Sequence, residues 1–386
     1  MRLGILLALL IITLDSLSFA QLSENSPKLL LTPQRLKRLK RDRDRQTPRW
    51  LDFEDRVKNV PDSPERGFEL ALYYVITKDE GRGREAIAWA KAHPCKQRQI
   101  ALVKDWVDDP PGEGNWPTSS CPESKTGPLA ALRDSLLTHP AQAQADGKKV
   151  VETLLTTDLA NAGEVYAAAE YLAMIKSTQH TDLRENAPQF FNSLPIQYLL
   201  NLKPEQVEHP DWMTHIAALA LVSLDPNSDS SQFLQGWAIE DRQMVREGPG
   251  VAYELLWADP YLPGVGYQNL DPWWFDDKNG KLLARSNWEP NACWIQITAR
   301  GVQQQNCPAN WQTQTVHFGH LQLMPMTQGC VEIQRAAPSI TTLLWKLRPN
   351  QRLKYTEEKK SMAVEADPFG FWRVPANVEG KVCAAR

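Results

Sequence analysis

The chain has 386 residues, of which 42% are hydrophobic and 23% are charged, and its formal net charge is −3. This composition is that of an ordinary globular protein with room for two domains. This net charge does not show the excess of basic residues that is typical of nucleic-acid-binding proteins, so we expect no nucleic-acid partner.

The N-terminus has the features of a signal peptide. Arg2 precedes an apolar run, Leu3–Ile12, which is short for a membrane span, and Ser18–Ala20 places small residues before a cleavage site at Gln21. A membrane anchor is the alternative. No later segment has the roughly 20 apolar residues of a spanning helix. We therefore expect residues 1–20 to be removed and the mature protein to be secreted or periplasmic, with no membrane span.

Residues 30–258 have mostly helical periodicity. Thr32 and Pro33 form a typical helix start. The basic stretch Arg35–Arg45 that follows is interpreted as a solvated helix face, with contact to an anionic polymer as the alternative. Further helical runs are predicted at 68–76 and 86–90, joined at Gly81 and Gly83 as an αα-hairpin, and at 151–173, 216–222 and 251–257.

After Pro272 the hydrophobic period changes from helix to strand. Short runs of β-forming residues are predicted as strands at 281–288, 293–299, 314–323 and 330–334. In the second of these, Cys293, Ile295 and Ile297 alternate with Trp294 and Gln296, which predicts a half-buried strand. The sequence thus predicts an α+β multidomain protein: a helical domain over 21–258, an interdomain joint over 259–277 and a small β-domain over 278–386.

Six cysteines make disulfides possible in an exported chain. Cys95–Cys121 and Cys293–Cys307 are the first pairs to test because each closes a short loop, and buried free thiols are the alternative. The chain has no C-x-x-C pair of a zinc ribbon or redox site, and we expect no metal and no cofactor.

Three passages resemble the heparinase II/III-like group of polysaccharide lyases. They are PKLLLTPQRLKRL, FELALYYVITKDEGRGREAIAWA, and YLPGVGY followed by GKLLARSNWEPNACWIQITARG. The resemblance implies an N-terminal (α/α) toroid-like domain followed by an antiparallel β-sandwich-like domain, and β-elimination on a uronate-containing glycan. The β-domain is shorter than usual, and in VHFGHLQL the residue Gln322 stands where the group's H-G-H-x-D motif has an aspartate.

β-Elimination requires a neutralised carboxylate, a base and an acid. His317 and His320 are candidates for proton transfer, and the resemblance favours His320. An offset of three places them on opposite faces of an ideal strand unless a bulge at Gly319 brings them together, and ordinary strand histidines are the alternative.

The passage DLANAGEVYAAAEYL supplies Asn161, Glu164 and Tyr166 as further catalytic candidates. The alternative is that Tyr166 packs in the core and Glu164 is solvated. Arg184, in the loop after this helix, is a candidate for neutralising a substrate carboxylate.

The stretch DPYLPGVGYQNLDPWWFDD concentrates aromatic residues at the predicted joint. Tyr267, Trp273 and Trp274 are candidates for stacking on sugar rings, and packing between domains is the alternative. Gly264 and Gly266 lack the third glycine and the preceding strand of a dinucleotide site.

The leading hypothesis is therefore a secreted polysaccharide lyase-like protein whose partner is an acidic polysaccharide. A non-catalytic polysaccharide-binding or envelope structural protein is the alternative. An (α/α) glycoside hydrolase is third, since it needs two facing carboxylates, for which Asp158, Glu164 and Glu170 are the nearest supply.

Overall fold

The computed structural model describes residues 29–107, 116, 127–138, 143–157, 159–239, 243–276, 281–298 and 301–306, and the backbone of seven strands between 321 and 384. These described residues contain thirteen α-helices: α1 Pro33–Asp44, α2 Pro48–Asn59, α3 Arg66–Thr77, α4 Glu80–Ala92, α5 Gln97–Trp106, α6 Pro128–Thr138, α7 Ala143–Thr156, α8 Ala162–Gln179, α9 Pro188–Asn201, α10 Pro204–Glu208, α11 Trp212–Leu224, α12 Asp229–Ala238 and α13 Gly250–Trp257.

The strands follow the helices in sequence. They are β1 Trp273–Asp276, β2 Lys281–Arg285, β3 Trp294–Thr298, β4 Gly301–Gln305, β5 Leu321–Pro325, β6 Cys330–Ile333, β7 Thr342–Lys346, β8 Leu353–Glu357, β9 Lys360–Val364, β10 Phe371–Pro375 and β11 Gly380–Ala384. Strands β1 to β4 form an antiparallel meander, and the others form sheets of order β10-β7-β5 and β6-β11-β8-β9. Strands β5 and β7 pair in parallel, unlike an all-antiparallel sandwich. The predicted order of helices and then strands is confirmed.

The chain divides into two compact units. Unit 1 lies within Met1–Phe190, Leu219–Leu224 and Met244–Tyr261, and unit 2 comprises the remainder. Helices α9, α10 and α12 therefore belong with the strands, whereas the sequence placed every helix before residue 258 in one domain. In the part of the chain that the structure describes, no helix combines the length and the apolar character needed to cross a bilayer.

Helix α1 begins where the sequence predicts. The Thr32 hydroxyl accepts a hydrogen bond from the Arg35 amide, and Pro33 occupies the first turn. The interpretation of its basic stretch as a solvated face is wrong for Arg38 and Asp42, which are 6% and 2% exposed. One side of this charged helix is therefore part of the interior of unit 1.

The predicted αα-hairpin is present as α3 and α4, but its turn is not at the glycines. The chain reverses at Lys78, which adopts a left-handed conformation (φ 61°), and Asp79 then caps α4. Gly83 lies inside α4, at a point where the helix packs against the Tyr74 ring. A Cβ at this position would be 2.7 Å from Cδ2 of Tyr74, which is too close for any residue but glycine. Its role is close helix packing rather than helix termination.

The long helix predicted over 151–173 is two helices, α7 and α8. The Asn161 side chain accepts a hydrogen bond from the Glu164 amide and starts α8 just before Gly163. The hydrophobic period continues through this region, but the Asn161 cap starts a new helix there, and the sequence pattern alone does not indicate the break.

The prediction of a half-buried β3 is wrong because both of its faces are covered. Trp294 and Gln296, expected on the solvent side, are 2% and 3% exposed. The Trp294 Nε1 atom donates to the Leu200 carbonyl at 2.8 Å, and Gln296 Nε2 donates to Asn201 Oδ1 at 2.7 Å. The end of α9 therefore packs on the second face of the meander within unit 2.

The structure describes the side chains of two cysteines, and neither is a free thiol. Cys95 and Cys293 are disulfide-bonded, which excludes the free-thiol alternative for these two. The predicted partners Cys121 and Cys307 lie outside the described residues.

We predict that Gly83→Ala lowers the free energy of unfolding by about 1–3 kcal/mol, because the added methyl group would overpack against Tyr74. The matched control is Gly163→Ala, where a Cβ would come no closer than 3.6 Å to Asn161 Oδ1. That variant should gain up to about 1 kcal/mol from helix propensity. Urea unfolding measures both, and a stabilised Gly83→Ala variant would contradict the packing account.

Candidate functional site

A buried network of charged and aromatic side chains lies in the interior of unit 1. Arg98 on α5 is its centre, at 9% exposure. Its Nε donates to Glu170 Oε2 at 2.9 Å, and its Nη1 donates to the Tyr253 hydroxyl at 2.9 Å and to Glu65 Oε2 at 3.2 Å. Its Nη2 donates to Glu170 Oε1 and, at 3.3 Å, to the Tyr166 hydroxyl. Every nitrogen of this guanidinium therefore has an acceptor.

Glu170 on α8 is the counter-charge of the network and is fully buried. Besides Arg98 it accepts hydrogen bonds from Arg133 Nη1 at 3.1 Å and from the Tyr166 hydroxyl at 2.8 Å. Burial acts to raise the pKa of Glu170, but the charges and hydrogen bonds of Arg98 and Arg133 outweigh burial and hold this pKa below its ordinary value. Glu170 therefore carries a negative charge that ties α8 to α5 and α6.

Tyr166 is 3% exposed, and its hydroxyl has three described partners. It donates its proton to Glu170 and accepts from Arg98 Nη2 and, at 3.3 Å, from Trp257 Nε1. Burial, together with the Glu170 charge, raises the pKa of Tyr166 well above its ordinary value. Tyr166 is therefore a neutral phenol whose oxygen already receives two hydrogen-bond donors.

Arg35 and Arg38 on α1 form a second pair of cations beside Trp257. Arg35 is half-buried, and its guanidinium lies 4.4 Å from the Trp257 ring centroid. It donates to the Leu30 carbonyl, and Arg38 Nη2 donates to the Leu256 carbonyl at 2.6 Å. Arg38 Nη1 is buried and has no hydrogen-bond partner among the described residues. Both arginines thus donate to backbone carbonyls, which are neutral and therefore do not balance the positive charges.

The electrostatics of this arginine pair differ from those of Arg98. Burial, and then repulsion from Arg38, lower the pKa of Arg35 to about 9. Asp259 attracts both cations, and Asp42 adds to the attraction on Arg38. Asp42 is itself buried and has its pKa raised by that burial, and its Oδ2 has no hydrogen-bond partner in the described part of the chain. Cation repulsion and a free N–H are what an anion-binding site requires.

Two predicted catalytic residues have local structural contacts. Asn161 caps α8, and Glu164 accepts hydrogen bonds from the Leu129 amide at 2.8 Å and the Ala130 amide at 3.4 Å. Glu164 is buried rather than solvated, since it stabilises the first turn of α6. Of the carboxylates considered for a hydrolase, Glu164 caps a helix, Glu170 is ion-paired, and Asp158 lies outside the described residues.

The predicted binding residues have contacts of their own. Arg184 forms a bidentate ion pair with Asp182 at 2.8 and 2.6 Å, which holds the pKa of Asp182 well below its ordinary value. In unit 2, Trp273 and Trp274 lie half-buried on β1, and Tyr267 is buried with its ring edge-on to Trp288. His317 and His320 lie outside the described residues.

Sequence reasoning missed Arg98 and Arg133 as site residues, whereas Arg35 and Arg38 belong to the basic stretch for which contact with an anionic polymer was the alternative. A signal was present: Arg98 shares the spacing of Leu102 and Trp106, so it lies on the buried face of α5. Tyr166 and Glu170 are likewise four residues apart on one face of α8. A charged residue at a core position indicates a buried partner.

No protein-family model matches the chain, and no curated protein matches it. The described residues contain no group of three or more His, Cys, Asp or Glu side chains placed to hold a metal ion.

We predict that Glu170→Gln lowers the free energy of unfolding by about 3–5 kcal/mol near neutral pH, because Arg98 and Arg133 lose their buried counter-charge. The pKa of Glu170 is depressed by folding, so its stabilisation is present above the ordinary carboxyl pKa of 4.5 and is lost as pH falls through the folded-state value. Urea unfolding at several pH values should show the two proteins converging in acid.

The control for this prediction is Glu152→Gln on α7, whose side chain is 62% exposed. It should change stability by less than about 0.5 kcal/mol. Equal effects of the two substitutions, or a Glu170→Gln deficit that does not depend on pH, would contradict the role assigned to Glu170.

Proposed function

We propose that this chain is an exported polysaccharide lyase-like protein that acts on an acidic, uronate-containing glycan by β-elimination. One observation supports the substrate class most strongly. Arg35 and Arg38 are neighbouring cations that bind backbone carbonyls, and Arg38 Nη1 has no hydrogen-bond partner among the described residues. Such a pair favours a carboxylate as its ligand. The carboxylate would accept a charge-assisted hydrogen bond from each arginine, and its negative charge would offset the repulsion between the two cations.

The reaction requires that the uronate carboxylate be neutralised, so that the proton on the adjacent carbon becomes acidic. In the proposal Arg35 and Arg38 neutralise it. Tyr166 supplies the proton that the leaving glycosidic oxygen takes up, and Arg98 and Trp257 stabilise the resulting phenolate through the donors they already direct at its oxygen. The reaction also needs a base for the proton on the adjacent carbon, and for this role the family resemblance names His320, a residue outside the described part of the chain.

The finer fold belongs to the same proposal. We infer an (α/α) toroid-like arrangement for the helical part and a β-sandwich-like arrangement for the later strands, with removal of residues 1–20 on export. The disulfides at Cys95 and Cys293 support an oxidising compartment such as the periplasm or the cell exterior.

A non-catalytic polysaccharide-binding protein is the second candidate, and Tyr166 favours it. Its proton is already donated to Glu170, and its pKa is raised. Proton donation to a substrate would require this hydroxyl to leave Glu170. The binder needs only the arginine pair.

We predict that the protein, incubated with alginate, heparin, chondroitin or pectin, releases unsaturated uronate from one of them, measured by its ultraviolet absorbance. Arg38→Met should weaken retention on that polymer about tenfold or more, because a charged hydrogen bond to the carboxylate is lost. Tyr166→Phe should abolish product release but keep retention.

The control is Arg246→Met, which removes a 54% exposed arginine of unit 1. It should leave retention and product release unchanged, and thermal unfolding of each variant shows whether it is folded. Retention without product would favour the binder, reducing sugar without unsaturated uronate would favour a hydrolase, and absence of both retention and product would overturn the proposal.

A further inference from the structure

In the part of the chain that the structure describes, a fully buried arginine of unit 2 has no acceptor for its terminal nitrogens. Arg285 is the last residue of β2 and is 0% exposed. Neither its Nη1 nor its Nη2 has a hydrogen-bond partner among the described residues. Burying an uncompensated cation costs several kcal/mol.

The orientation of this guanidinium is fixed by its neighbours. Its Nε donates to the Asn287 carbonyl at 3.0 Å, and its Cζ lies over the Trp288 ring, 4.3 Å from the centroid. The Trp288 indole donates to the Leu270 carbonyl at 3.3 Å and meets the Tyr267 ring edge-on at 5.3 Å. With Nε engaged and one face covered, the edge between Nη1 and Nη2 is the part left to bind.

We propose that this edge of Arg285 binds the carboxylate group of a small organic acid or acidic sugar. Two parallel N–H groups on a planar fork match the two oxygens of a carboxylate. The segment that joins β2 and β3 would have to shift to admit the ligand, since Asn287 and Trp288 are in contact with the guanidinium. Asn287, Glu289 and Asn291 of that segment are exposed, so the contacts that such a shift must break are mainly those of Trp288 with Arg285, Tyr267 and Leu270.

The charge of Arg285 agrees with this assignment. Burial lowers the pKa of Arg285 to about 10, and the nearby Tyr267 partly offsets that effect. The arginine therefore stays cationic at neutral pH. A carboxylate bound to Arg285 would pair with a cation that is shielded from water, and such an ion pair is stronger than one in water.

The proposal does not rest on the lyase proposal, because Arg285 belongs to unit 2 and the arginine pair of that site to unit 1. The Arg38→Met background separates the two. Carboxylate binding that persists in Arg38→Met belongs to Arg285, whereas binding that disappears there belongs to unit 1.

The test is titration calorimetry with sodium glucuronate, sodium acetate, glucose and sodium sulfate on the Arg38→Met protein. We expect saturable binding of glucuronate and no binding of glucose. Arg285→Lys, added to that background, should weaken glucuronate binding about tenfold or more, because a lysine keeps the charge but lacks the fork. Binding of acetate as tight as that of glucuronate would show that the carboxylate alone is recognised, which also supports the site.

Arg285→Met provides a second measurement. If the charge is uncompensated in the free protein, this variant, whose side chain is of similar length, should unfold at a higher temperature in the absence of ligand. Glucuronate should raise the unfolding temperature of the protein with Arg285 but not that of Arg285→Met. Absence of glucuronate binding to Arg38→Met would overturn the proposal, and so would sulfate binding in preference to both carboxylates or unchanged affinity in Arg285→Lys. If Arg285→Met also unfolds at a lower temperature, Arg285 is a structural group.

Discussion

The ionic contact of Glu170 with Arg98 and Arg133 is the interaction on which the interior of unit 1 depends. It places one carboxylate between two guanidinium groups on three different helices, away from water. Each cation would be costly to bury alone, and Glu170 would be equally costly without them. The geometry of Tyr166 follows, because its hydroxyl is fixed between Glu170 and the donors of Arg98 and Trp257.

Because Glu170 is committed to Arg98 and Arg133, it is not available to Arg35 and Arg38. These two cations are held by backbone carbonyls at the end of α13 and before α1, and Trp257 contacts the Arg35 guanidinium with its ring face and the Tyr166 hydroxyl with its Nε1. Unit 1 thus contains one arginine pair that is neutralised internally and another whose charge is only partly offset through space. The second pair is the part of the interior that an acidic glycan would complete.

The sequence was sufficient where a signal is local. The Thr32 cap, the hairpin of α3 and α4, and the change of period after Pro272 all depend on neighbours along the chain. The sequence was not sufficient where the outcome depends on contacts with another element. Trp294 and Gln296 are buried by α9, and Gly83 allows close packing against the Tyr74 ring rather than forming a turn. Arg98 and Glu170 are 72 residues apart, so no periodicity could pair them.

We propose above that the arginine pair of α1 binds a uronate carboxylate. A crystal structure of the protein with a bound uronate oligosaccharide tests this most directly. We expect a carboxylate oxygen about 2.7–2.9 Å from Arg38 Nη1, with the second oxygen facing Arg35. A bound oligosaccharide whose carboxylates all lie away from these two guanidinium groups would contradict it.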